Sequence, residues 1–195
     1  MIKTHAIDEA TMAQRIARFS ALKALPVQRD EQLPRAALDI VYARELRSVI
    51  GLPPGAGKTP INAQAPIVGA GGMTMTLAVC PPGQGPELHA HRQTYETFTV
   101  LQGRFEIRWN DEGECATVLE RFDTISVPPG VCRAFRNVSD DQGILQVIIT
   151  GGVHDMNDID FSAAVVPHLK AIDPAAQERL EALGFSFTAA GAKDD

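Results

Sequence analysis

Short strand-like segments separated by turns fill residues 72–152, and this pattern constrains the fold more than any other feature of the sequence. Runs of β-branched and aromatic residues end at turns rich in proline and glycine, such as residues 81–83 and 128–130. Proline has no N–H to give to a sheet, so it marks strand ends. The predicted strands are residues 73–80, 87–91, 95–101, 104–109, 115–119, 123–127, 131–137 and 144–150. Many short strands at such spacing are typical of an all-β sandwich or barrel.

The segments on either side of these strands have helical patterns. Within residues 8–25 the apolar side chains recur at steps of three and four, which predicts an amphipathic helix. Residues 38–50 fit a helix followed by a short strand, and residues 52–72 have the composition of a connecting loop. Asp173 and Pro174 begin a further helix, which Gly184 ends.

We therefore expect a single domain with three parts. Residues 1–71 form an N-terminal helical extension and loop, residues 72–152 form the barrel, and residues 153–195 form a C-terminal extension with a helix. The chain is 45% hydrophobic and 22% charged, which is ordinary for a protein with a sizeable core.

Charge and hydrophobicity exclude several classes of partner. The formal net charge is −6 and no Lys/Arg cluster occurs, so we expect no nucleic-acid partner. No window approaches the ~20 apolar residues of a membrane span, and the N-terminus lacks the apolar stretch of a signal peptide, so we expect a cytoplasmic protein. The three cysteines form no C-x-x-C pair, which favours reduced thiols over a disulfide framework.

Two histidines and a carboxylate are the candidate metal ligands. His89 and His91 lie two residues apart in a predicted strand, so both imidazoles point to the same face. Glu96 is an odd number of residues further on, and we expect the polar turn at residues 92–94 to reset its direction. Two imidazoles and a carboxylate suit a divalent cation such as Fe, Ni, Mn or Zn.

The spacing of these residues resembles the first motif of the cupin family, G-x5-H-x-H-x4-E-x6-G. Gly83, His89, His91, Glu96 and Gly103 match all five of its positions.

The second cupin motif, G-x5-P-x-G-x2-H-x3-N, is matched in part. Pro128, Gly130 and Asn137 are in place, but Phe122 replaces the first glycine and Arg133 replaces the histidine that would be the fourth metal ligand. The resemblance implies an all-β jelly-roll barrel, also called a double-stranded β-helix, with a cavity that typically holds a metal bound by three His and one Glu. It also implies oxidation or isomerisation of small molecules as common activities, alongside members that only bind ligands.

Arg133 leaves three interpretations open, because a guanidinium has no lone pair to give to a metal. In the first, His89, His91 and Glu96 hold the metal as a facial triad and Arg133 binds a substrate carboxylate. In the second, Arg133 pairs with Glu96 or a ligand carboxylate in a metal-free pocket. In the third, Arg133 faces solvent.

The leading hypothesis is a metal-dependent enzyme that acts on a small anionic molecule, with Arg133 and Glu96 in catalytic roles. The enzyme would be dioxygenase-like, another kind of oxidoreductase, or an isomerase. The alternative is a non-catalytic cupin that binds a small molecule without metal. Gln146 is either a group beside the site or an outward-facing residue, and Phe98, Phe105 and Trp109 are either pocket walls or core. Because barrels expose sheet edges, we expect a homodimer.

Overall fold

The computed structural model describes residues 1–29, 31–53, 65–69, 71–152 and 155–190. The strands are β1 Glu45–Gly51, β2 Ile67–Val68, β3 Thr74–Cys80, β4 His89–His91, β5 Tyr95–Gln102, β6 Phe105–Trp109, β7 Cys115–Leu119, β8 Thr124–Val127, β9 Arg133–Asn137, β10 Gly143–Thr150 and β11 Ile159–Phe161. The helices are α1 Glu9–Ala13, α2 Arg35–Val41, α3 Val166–Ile172 and α4 Ala176–Ala182. None of the helices within these ranges could cross a lipid bilayer.

Two facing sheets build the jelly-roll barrel. One sheet has six strands in the order β2-β1-β3-β10-β5-β8, and the other has five in the order β11-β4-β9-β6-β7. The all-β jelly-roll prediction is confirmed, and each of the eight predicted strands is present with ends that agree to within two residues. The boundaries were predictable because proline and glycine turns separate these strands.

The barrel core forms where the inner faces of the two sheets meet. Burial alternates along β10, where Leu145 and Val147 point inward and Gln146 lies on the other face. Phe98, Phe105 and Ile107 are completely buried in the same core. Such alternation is what a strand with one buried face requires.

The long N-terminal helix predicted over residues 8–25 is wrong in extent. Only Glu9–Ala13 is α-helical, and Phe19–Ala21 forms a single 3-10 turn. Met12, Ile16 and Phe19 are exposed. Most helical stability in proteins comes from packing of the apolar face, and here that face is not packed, so the periodic pattern does not produce a continuous helix.

The prediction of a helix followed by a strand in residues 38–50 is confirmed by α2 and β1. Strand β1 pairs with β3, with Glu45 opposite Val79, so the N-terminal extension contributes a strand to the six-stranded sheet. The edge of this sheet therefore lies outside the predicted barrel segment.

The C-terminal extension contains the predicted helix, α4, which Gly184 follows with a positive φ of 96°. It also contains two elements that the sequence analysis missed, β11 and α3. Strand β11 pairs with the histidine strand β4 and thereby extends the five-stranded sheet. Helices α2, α3 and α4 share a second hydrophobic cluster that includes Leu38, Leu169 and Leu180.

Phe122 generates a prediction about stability because it adopts a positive φ of 77° while its side chain is 66% exposed. A left-handed conformation at a bulky residue costs about 1–3 kcal/mol. Phe122→Gly relieves this strain and loses little burial, although glycine costs about 0.5–1 kcal/mol of chain entropy. We expect the variant to be more stable by about 1 kcal/mol in urea unfolding.

The matched control is Asn110→Gly, since Asn110 also has a positive φ, of 71°. Asparagine tolerates this region well, so the control should change stability less than Phe122→Gly does. A loss of stability in Phe122→Gly would show that the aromatic ring contributes more than the strain costs.

Candidate metal site

The three predicted ligands converge inside the barrel. His89 and His91 both point inward from β4, and Glu96 points inward from β5. Glu96 Oε2 lies 3.5 Å from His89 Nε2 and 3.6 Å from His91 Nε2. One ligand atom from each residue falls within 4.8 Å of the others, and all three residues are buried.

The turn at residues 92–94 explains why Glu96 faces the histidines. Strand β4 belongs to the five-stranded sheet, whereas β5 belongs to the six-stranded sheet. The turn carries the chain from one sheet to the other, and the inner faces of the two sheets oppose each other across the barrel. An odd residue separation therefore brings the three side chains together instead of apart.

The hydrogen bonds at the Nδ1 atoms define the tautomer of each histidine. His89 Nδ1 lies 2.8 Å from the carbonyl oxygen of Glu87, which can only accept, so Nδ1 carries the proton. His91 Nδ1 lies 3.0 Å from Asp158 Oδ2 and 2.9 Å from Thr94 Oγ1. The Thr94 hydroxyl donates to Asp158, so both groups present lone pairs to His91. The Nε2 atom of each ring faces Glu96.

The pKa values of both Glu96 and His91 are lowered at the site. Burial raises the pKa of Glu96, but His91, His89 and Arg133 together outweigh it and lower that pKa to about 2. Burial is the main cause that lowers the pKa of His91. For Asp158, burial opposes ionisation, but hydrogen bonds from His91, Thr94 and Gln93 outweigh it and lower the pKa of the carboxyl.

These residues fit a divalent metal ion. Glu96 Oε2 is buried and has no hydrogen-bond partner, although a carboxylate oxygen in such a place needs one. A cation among the two Nε2 atoms and this oxygen would satisfy it. The mixed nitrogen and oxygen donor set suits Fe, Ni, Mn or Zn.

Arg133 lies beside the ligands and is completely buried, so the interpretation in which it faces solvent is wrong. Its Nε lies 3.4 Å from Glu96 Oε2, and its Nη1 donates to the His89 carbonyl at 3.4 Å. Nε and Nη2 have no hydrogen-bond partner. Burial lowers the pKa of Arg133, and the charge of Glu96 opposes that effect. Arg133 and Glu96 are thus close without forming an aligned hydrogen bond.

A cavity of about 90 Å³ adjoins the three ligands. Tyr42, Thr74 and Thr76 contribute hydroxyl-bearing side chains to its lining, and most of the remaining lining is apolar. Phe161 lines the cavity and packs against the His89 ring, with 5.1 Å between ring centroids. Pockets for drug-sized ligands commonly measure about 300–1,000 Å³. This cavity is smaller than that range, so it suits a molecule of only a few atoms.

The other residues singled out in the sequence lie away from the cavity lining. Phe98 and Phe105 are buried in the barrel core, where Phe98 packs edge-on against Phe135. Trp109 is half-buried and pairs with Cys115 across β6 and β7. Gln146 is on the outer face of β10 and donates to the sulfur of Met75 at 3.3 Å.

The sequence analysis missed Thr94 and the groups that the extensions bring to the site. Asp158 and Thr94 contact His91, while Tyr42, Phe161 and Phe185 line the cavity. No local pattern marks the residues of the two extensions, because their neighbours at the site lie far away in sequence. Thr94 alone offered a signal, as a polar residue in the turn between two ligands.

Several solved structures resemble this chain. The cupin domain of Schizosaccharomyces pombe Cnp3 has 16% identity and a TM-score of 0.38, over 42% of this chain and 57% of that one. A Klebsiella pneumoniae protein with a double-stranded β-helix domain has 19% identity and a TM-score of 0.41, over 47% and 76% of the two chains. A structure of DMSP lyases has 18% identity and a TM-score of 0.46, over 61% and 53%. This chain thus spans little more than half of the yeast domain and of the lyase.

The sequence comparisons point to one family. No curated protein gave a significant match. Residues 76–149, however, match the family model of the cupin domain, and they include both histidines, Glu96 and Arg133. Together with the jelly-roll barrel, this match shows that residues 76–149 of the chain form a cupin domain.

Proposed function

We propose that this cupin binds a divalent metal ion through His89, His91 and Glu96 and acts on a small anionic molecule as a dioxygenase-like or other oxidoreductase enzyme. The observation that carries the proposal is the convergence of two imidazole Nε2 atoms, at 3.5 and 3.6 Å, on a buried carboxylate oxygen without a hydrogen bond. A facial set of two histidines and one carboxylate is the ligand arrangement of non-haem iron oxygenases.

A bound ion would supply Lewis acidity and, if redox-active, electron transfer at open coordination positions. The chain's own residues prepare the site for it. Glu87 and Asp158 hold the Nδ1 atoms so that both Nε2 atoms face inward. Apolar side chains around the cavity limit the water that reaches the ligands, which strengthens electrostatic interactions there.

Arg133 supports the assignment of an anionic substrate. Its guanidinium carries a fixed positive charge, and Nε and Nη2 have no hydrogen-bond partner. A guanidinium in this state favours a carboxylate or other anion nearby. The small volume of the cavity indicates a substrate with few atoms, and its largely apolar lining indicates that part of the substrate is apolar.

A metal-free ligand-binding cupin is the second candidate function. It is favoured by the 3.4 Å approach of Arg133 Nε to Glu96 Oε2, because a buried cation there also repels a divalent ion. In this function the cavity binds a small anion without chemistry. Protein that binds a small anion but stays free of metal when Fe, Ni, Mn and Zn are supplied would favour this function over catalysis.

Metal content tests the ligand set directly. We expect untagged protein supplied with Fe, Ni, Mn or Zn to hold about one ion per chain by mass spectrometry, and His91→Ala to lose it, because two donors bind a divalent ion much more weakly than three. The control is His5→Ala, since His5 is exposed in the N-terminal extension. Wild-type protein that stays metal-free with all four ions would end the metal proposal.

Arg133→His tests whether residue 133 acts on the metal site. The substitution restores a fourth donor and removes a buried cation, so we expect metal affinity to increase by at least about tenfold, as measured by calorimetry. Arg136→His is the control, because Arg136 lies on the same strand but is exposed. A metal affinity that does not change would show that residue 133 is too far from the ion to bind or repel it.

We also propose a homodimer in which the N-terminal extension forms the contact. Met12, Ile16 and Phe19 expose apolar side chains on this extension, and the edge strand β2 of the six-stranded sheet has only two residues. An apolar surface of this kind commonly marks an interface.

Light scattering tests the dimer. Wild-type protein should have about twice the mass of one chain, and the double variant Met12→Asp with Ile16→Asp should be monomeric, since it places charges in the contact. Val118→Asp, an exposed apolar position on β7, should leave the dimer intact. Monomeric wild-type protein would rule the proposal out.

A cytoplasmic location is part of the proposal. Cys80, Cys115 and Cys132 are all free thiols, and reduced cysteines are typical of proteins in the cytoplasm.

A further inference from the structure

We propose that Asp158 is a positioning residue for His91, so that the C-terminal extension sets the metal affinity of the barrel. This inference rests on the proposed metal function. Asp158 lies outside residues 76–149, the part of the chain that matches the cupin domain.

Each oxygen of the Asp158 carboxylate contacts the metal-ligand segment. Oδ2 lies 3.0 Å from His91 Nδ1 and accepts from the Thr94 hydroxyl. Oδ1 accepts from the backbone N–H of Gln93 at 2.8 Å. The backbone carbonyl of Asp158 also accepts from the N–H of Arg92 at 2.8 Å. One residue therefore holds both the His91 ring and the turn that leads to Glu96.

The pairing of β11 with β4 places Asp158 at this point. Ile159, the next residue, pairs with His91 itself, and Phe161 pairs with His89. The Asp158 side chain is 2% exposed, so its hydrogen bonds do not compete with bulk water. The carboxylate is thus held by the sheet and does not reach the site from a free loop.

His91 differs from His89 in the charge of its acceptor. His89 Nδ1 contacts a neutral backbone carbonyl, whereas His91 Nδ1 contacts an ionised carboxylate. A carboxylate at Nδ1 fixes the tautomer and the ring orientation and makes Nε2 a stronger donor. Removal of such a partner typically weakens metal binding by about 10–100-fold.

Asp158→Asn tests the role with little change in size. Both carboxylate oxygens act as acceptors, so an amide must place its NH₂ group against either the Gln93 N–H or the His91 and Thr94 donors. We expect the metal affinity of this variant, measured by calorimetry with Zn²⁺, to fall by about 10–100-fold.

Asp160→Asn is the matched control. Asp160 is buried two residues further along the same segment, but it contacts Arg92 and Thr188 instead of a ligand. The control loses the same charge from the same segment of the C-terminal extension, and its Zn²⁺ affinity should change by less than about twofold. Equal losses of affinity in the two variants would overturn the proposal and show that Asp158 only stabilises the C-terminal extension.

A second measurement on metal-free protein does not depend on metal binding. Imidazole nitrogen NMR reports which ring nitrogen carries the proton. We expect the Nδ1–H tautomer of His91 in wild-type protein and in Asp160→Asn, and a mixture of tautomers in Asp158→Asn. His89 should keep its tautomer in all three proteins.

The two measurements separate the possible failures. A tautomer of His91 that is the same in wild type and in Asp158→Asn would overturn the positioning role, whatever the metal affinity. The other possible result is that Asp158→Asn changes the His91 tautomer as expected but the wild-type protein binds no Zn²⁺. This result would support the orientation of His91 by Asp158 and would refute the metal function itself.

Discussion

The site depends on the turn at residues 92–94, which carries the chain from one sheet of the barrel to the facing sheet. His89 and His91 precede the turn and Glu96 follows it, so the ligands approach from opposite walls. Had the chain continued as one strand, the odd separation would have pointed Glu96 out of the barrel. The close spacing of the three ligands in sequence therefore becomes a three-dimensional site only because the barrel has two walls.

The balance of charge in the barrel follows from that convergence. Glu96 is ionised and buried, and burying an unpaired carboxylate is costly. Arg133 is the fixed positive charge beside it, at 3.4 Å and without an aligned hydrogen bond. This geometry balances the charge but leaves hydrogen-bonding capacity unused on both side chains. That unused capacity is the physical reason to expect an ion or an anionic ligand between these groups.

The extensions are part of the site as well as of the fold. Tyr42 comes from the N-terminal extension, and Phe161 and Phe185 come from the C-terminal extension, yet all three line the cavity. Tyr42 and Phe185 pack edge-on with their ring centroids 5.4 Å apart, so the two extensions also contact each other. Cavity size and apolar character are thus determined largely outside the two motifs, which would allow relatives with the same ligands to accept different molecules.

Sequence and tertiary structure contributed different parts of this description. The sequence by itself determined the strands and the candidate ligands. Proline and glycine turns act locally, and the spacing of His89, His91 and Glu96 is a short-range pattern. It was misleading at residues 8–25, where an apolar period alone could not supply the packing that a helix needs. Only the tertiary structure decided that Arg133 is buried beside Glu96, that Phe98 packs in the core, and that Asp158 contacts His91. Those outcomes depend on contacts between residues distant in the chain, such as the pairing of β11 with β4, and no local pattern encodes which distant segments will meet.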